Sequence, residues 1–182
     1  MTILSESDAR AAAAKVLKAV RADDACFTLR HRREATTRFA GNAITQNVFA
    51  DRIETSCTAF FGQKKGTAQG GALDDASLAT LARRAEEIAK AAPPDPECLP
   101  TLGPQDYPHV RGFDEKTAAL APEDRARMVL AMLEPARAAG LKASGTVETS
   151  ASAMCVATRN GCFAYYPGTD VEVGCTMTAE DS

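Results

Sequence analysis

At 182 residues the chain has the size of one domain with a substantial core, and 45 % hydrophobic against 25 % charged residues excludes collagen, coiled coil and wholesale disorder. Lys plus Arg number 21 against 24 Asp plus Glu, a net charge of −3, so a protein that tracks phosphate backbones is not expected and nucleic acid is an improbable partner. No run approaches the roughly 18 apolar residues of a membrane span and the first residues have no secretory pattern, so the expectation is a cytoplasmic chain with no membrane partner.

Residues 5–22 read as a helix. Ser5 and Asp8 have capping spacing, and Ala9, Ala13, Val16, Leu17 and Val20 share a face. From Ala25 to Ala40 the chain is β-rich, Gly41-Asn42 offers a two-residue turn, and Ala43 to Phe49 completes a hairpin. Another strand is expected over Ile53–Phe61, returning through Gly70. Asp74 or Asp75 caps a helix over 74–91, whose apolar face is Leu78, Leu81, Ala82, Ala85, Ile88 and Ala89. Six prolines between Pro93 and Pro108 then deny helix and central strand alike, and 92–120 reads as a long ordered loop. Pro122 opens a helix over 122–138, with Val129, Met132, Leu133 and Ala136 as its buried stripe and Pro135 expected to kink or shorten it. Leu141 to about Ser150, a hairpin turning at Asn160-Gly161, and Val171 to Thr178 are β.

Strands in runs joined by short turns favour antiparallel order. The expected fold is α+β, a largely antiparallel or mixed sheet with about three helices in a single domain, 1–182. Its halves, about 1–91 and 121–182, are joined by the Pro-rich loop. Cys57-Thr58-Ala59 and Cys155-Val156-Ala157 raise an α-β-β-β duplication, though two short matches leave chance as the simpler account.

Three sets of residues are candidates for chemistry. Arg30-His31-Arg32-Arg33 is the one dense basic run, and on a strand its charges alternate between faces, as suits a solvated edge strand protected by charge. The six cysteines include no CxxC, and only His31 and His109 could join them on a metal; Cys57 and Cys155 read as small core residues. At the first hairpin, Arg38, Asn42, Gln46 and Asn47 form a polar set with two open readings. One is ordinary turn and solvent-face chemistry. The other is a polar rim to a sheet edge that hydrogen-bonds an extended peptide, with Arg38, Asn42 and Gln46 as the binding side chains.

Taken together, Thr37 to Asn47, Lys65-Gly66-Thr67-Ala68, Ala89 to Pro96, Leu120 to Arg125 and the Ala157 to Phe163 turn resemble the N-terminal domain of the TldD/PmbA metallopeptidases, once labelled modulators of DNA gyrase. Gly41 stands where the family more often has a polar residue, and Arg159 where a small hydroxyl residue is common. The resemblance implies zinc held by an HExxxH helix in a C-terminal domain that this chain does not include. It therefore implies no catalytic residue and no cofactor within 1–182. It also implies that the chain is a fragment ending at Thr178-Ala179-Glu180-Asp181-Ser182. Such a domain would help form the substrate chamber and subunit contacts of a peptidase acting on unfolded or modified peptides, as a homo- or hetero-dimer with a related subunit. A non-catalytic partner subunit, a stand-alone peptide-binding module and, more remotely, a DNA- or gyrase-associated protein are the alternatives.

Overall fold

The computed structural model describes residues 1–179; Glu180 to Ser182, at the expected fragment end, lie outside them. The elements in chain order are α1 (Glu6–Ala19), β1 (Asp24–Ala40), β2 (Ala43–Phe61), β3 (Lys64–Gly70), α2 (Asp75–Ala91), α3 (Glu115–Ala118), α4 (Pro122–Ala138), β4 (Lys142–Thr158) and β5 (Phe163–Thr178). The strands form one antiparallel sheet in the order β3-β2-β1-β4-β5. The fold is the α+β domain expected, with the short α3 inside the Pro-rich segment as an additional helix.

Alternation along the strands sorts side chains onto two faces. Ala25, Phe27 and Leu29 of β1, Cys57 and Ala59 of β2, Ala68 of β3, and Cys155 and Ala157 of β4 all turn towards α1 and α2, where they meet Val16, Leu78, Leu81 and Ala85. Further along the same face, Phe39, Ala143 and Val147 lie under Val129, Leu133 and Ala136 of α4. The three long helices therefore share one face of the sheet. The opposite face carries no long helix and holds polar pairs, among them Arg32 with Glu34 at 2.7 Å and with Glu148 at 3.0 Å.

Several local readings change. The segment Ala50-Asp51-Arg52 does not break the second strand, because Asp51 lies opposite Arg33 and pairs with Arg33 Nε at 3.0 Å and His31 Nε2 at 2.8 Å. β2 therefore runs unbroken, as do β4 and β5, and the second half has two strands in place of the three that the sequence predicts. The basic run lies on β1, the central strand, not on an edge. Its charges are placed by the sheet's two faces. His31 accepts a hydrogen bond at Nδ1 from the N–H of Leu4, a structural histidine that ties the N-terminal segment to the sheet. In α2 the apolar Ile88 is 44 % exposed and Glu86 is buried in its stead, accepting from the N–H of Arg21. Pro135 leaves α4 intact to Ala138 because it sits near the C-terminal end on the exposed face, where losing one carbonyl's bond leaves that group to water.

Arg159, the departure noted in the sequence, has a mechanical role. Its guanidinium donates to the carbonyls of Leu17, Val20 and Ala22, closing the C-terminal end of α1 onto the β4–β5 turn. The Pro-rich segment is tied to the sheet at both ends. Thr101 donates from N and Oγ1 to the Asp24 carboxylate at 2.8 Å, and the Gly112 carbonyl accepts from Thr169 N–H at 2.9 Å.

Candidate functional site

The sheet's rows are of unequal length, and this creates the site. β2 has 19 residues and β3 has 7, pairing only from Thr55↔Gly70 to Phe61↔Lys64. The first half of β2 therefore has β1 on one side and, among the described residues, no strand on the other. In the antiparallel register the residues of β2 that turn their N–H and C=O away from β1 are Asn47, Phe49, Asp51 and Ile53. The Ile53 carbonyl points towards the Gly71 end of the missing row. The backbone groups of Asn47, Phe49 and Asp51 have no partner among the described residues. Beside them Val48 is 41 % and Phe49 54 % exposed, and Arg33 stacks over the Phe49 ring at 5.2 Å. An apolar, unpaired edge of this kind is a template for strand addition unless it is covered.

The three residues singled out from sequence are distributed unequally around this edge. Arg38 and Gln46 stand opposite each other across β1 and β2, both exposed on the helix-free face, with no side-chain hydrogen bond or ion pair among the described residues. A bulge between Arg38 and Phe39 follows this pair, leaving Thr45 as the extra residue, whose hydroxyl donates to the Arg38 carbonyl at 3.3 Å. Asn42 has a different neighbourhood. Gly41 and Asn42 occupy φ of 56° and 64°, the two left-handed positions of a tight hairpin turn. The Asn42 amide donates from Nδ2 to the Leu141 carbonyl and accepts at Oδ1 from Ala143 N–H, both at 2.8 Å. Asn42 thus anchors the hairpin tip to the start of β4, and Asn47 is likewise engaged, accepting at 2.6 Å from Thr37 Oγ1. Arg38 and Gln46 are the pair free to contact a ligand. Sequence reasoning missed Val48 and Phe49, whose signal was two adjacent apolar residues in a strand bounded by polar ones.

Among the described residues no group of three or more His, Cys, Asp and Glu could hold a metal ion. These residues do not fit a catalytic zinc. Burial pushes the Cys57 thiol up to about 12 and the Cys155 thiol up to about 11, so neither is a thiolate near neutrality. Both groups have folded values above the unfolded value, so the stability they support is complete below about pH 9, where the unfolded thiols stay protonated. It is lost as pH rises through the window to about 12. We expect the urea midpoint to fall between pH 9 and 11, and Cys57→Ala combined with Cys155→Ala to flatten that fall. An unchanged pH slope in the double variant would show the loss to come from other groups.

Comparison with known proteins adds the fold's relatives. No protein-family model matches the chain, and no curated protein matches it. Among solved structures, TldE from Thermococcus kodakarensis aligns at a TM-score of 0.80 with 13 % identity, over 93 % of this chain and 42 % of that one. A proposed modulator of DNA gyrase from Bacteroides thetaiotaomicron aligns at 0.77 with 16 % identity, over 93 % of this chain and 40 % of that one. A second, from Thermotoga maritima, aligns at 0.71 with 12 % identity, over 85 % and 38 %. The class defined is therefore an open antiparallel sheet with its helices on one face, the fold shared with part of these proteins. At such identities the likeness is one of fold, and the chain spans about two fifths of the structures it matches.

Proposed function

We propose that the chain is the non-catalytic N-terminal domain of a TldD/PmbA-type zinc metallopeptidase, and that it forms part of the substrate chamber by holding an extended, unfolded peptide along the free edge of β2. The fold likeness to TldE supports the family. The observation that carries the peptide role is the outward-facing, unpartnered backbone of Asn47, Phe49 and Asp51, with Val48, Phe49, Arg38 and Gln46 exposed beside it. A protein acting on varied sequences must grip what does not vary, and main-chain hydrogen bonds to a sheet edge do so. Zinc, on this reading, belongs to another domain of the parent protein, and the chain alone binds without cleaving. A related subunit completes the chamber, and the setting is cytoplasmic.

Fluorescence anisotropy with a labelled unfolded peptide tests this reading on the 182-residue chain. Binding that is insensitive to a chelator, with the peptide recovered intact, is the expected result. Chelator-sensitive hydrolysis by this chain would contradict it, as would duplex DNA binding tighter than peptide binding at about 0.15 M salt.

A further inference from the structure

Where β3 ends, the outer row of the sheet opens onto a hollow of about 320 Å³ beside the flank of α2. Thr55, Gly70, Gly71, Ser77, Thr80 and Arg84 form its polar wall. Thr55 is 3 % exposed, and its Oγ1 has no hydrogen-bond partner among the described residues. Buried hydroxyls are rarely left so, and although Thr55 lines the hollow this oxygen has almost no surface open to it, so a ligand atom meets it only with a local shift of the wall. Gly70 keeps the space open: a Cβ there would stand 3.1 Å from Thr55 Oγ1.

Charge decides what the hollow can hold. Arg84 is exposed and has no carboxylate partner among the described residues, and the wall contains no acidic side chain. Gly71 and Ala72 also line the hollow, and their N–H groups have no partner among the described residues. The two acids at the start of α2 are committed elsewhere. Asp74 caps the helix by accepting from Ser77 N–H at 2.9 Å, and Asp75 pairs with Lys15 at 2.7 Å. A guanidinium, three hydroxyls and free N–H groups suit a carboxylate.

We propose that this hollow seats the α-carboxylate of a peptide whose last residues lie along β2. The inference rests on the peptide reading above and adds to it a direction and a ligand class. β2 runs from Ala43 towards Ile53 and the hollow, so a peptide ending at Gly70-Gly71 runs parallel to β2. The ligands are then extended peptides with a free C-terminus, and internal segments of a longer chain bind less well.

Two probes separate the seat from the edge. N-acetylglycine titrated into the isotope-labelled chain should shift the amide signals of Gly70, Gly71 and Ser77, whereas N-acetylglycinamide should not. A five-residue Thr/Val peptide acid should bind about tenfold more tightly than its carboxamide, a preference that Arg84→Ala abolishes. Thr55→Val should weaken the acid several-fold without lowering the melting temperature, since it removes an unbonded hydroxyl. A merely structural Thr55 would show the reverse. Equal affinity of acid and carboxamide would overturn the seat and leave the edge standing. N-acetylglycine shifts without any pentapeptide shift at Asn47–Ile53 would keep the seat and overturn the edge. No response to either probe would overturn both.

Discussion

Gly66→Ala should cost the domain about 3 kcal/mol or more, lowering its melting temperature by roughly 6 °C or more. The cause is the distance between β3 and α2. A Cβ on Gly66 would lie 2.1 Å from the backbone nitrogen of Ala89 and 2.7 Å from the carbonyl oxygen of Ala85. These are backbone atoms of a regular helix turn, so no rotamer change can relieve the contact. The facing helix positions are already alanines, fully buried, with no side-chain bulk to surrender. The helix must lift, and lifting α2 exposes Leu78 and Leu81, which fill the larger core. Gly103→Ala is the control, because its Cβ would meet Asn160 at an ordinary 3.6 Å. Thermal melts of the two variants decide the matter: a Gly66→Ala chain that melts with the parent would mean that β3 and α2 are not in this contact.

A proline pair gives the largest expected effect on binding. Phe49 points its N–H away from β1, whereas Val48 points its N–H into the β1 ladder opposite Thr36. Phe49→Pro therefore removes a donor that only an added strand would use, and should weaken peptide binding by tenfold or more while the fold survives. Val48→Pro removes a ladder hydrogen bond and should destabilise by about 3 kcal/mol. Phe49→Ala separates the donor from the ring, which also packs under Arg33. It should lose less affinity than the proline variant. Equal peptide affinity for Phe49→Pro and the parent chain would show that the peptide does not use this edge.

The sequence made the helices and the antiparallel sheet legible because both depend on local periodicity and turn chemistry. The Gly41-Asn42 turn, the α2 cap at Asp74 and the 122–138 helix are of this kind. What stayed hidden was set by partners far along the chain. The continuity of β2 through Asp51 depends on His31 and Arg33 across the sheet. The role of Arg159 depends on the carbonyls of Leu17, Val20 and Ala22, at and just beyond the end of α1 and far from the turn in sequence. The site was half legible for the same reason. Arg38 and Gln46 could be picked out as polar residues of a hairpin, but that Asn42 is bonded to β4 and that β3 is too short to cover β2 are facts of tertiary pairing.

Isotope-filtered NOE spectroscopy on the labelled chain, mixed with an unlabelled extended peptide, tests the edge reading most directly. Strand addition predicts NOEs from the peptide backbone to the amide and α protons of Asn47, Phe49 and Asp51, with none to Thr28 or Ser152 in the middle of the helix-free face. NOEs confined to that open face, or bound peptide with no contact to β2, would contradict it.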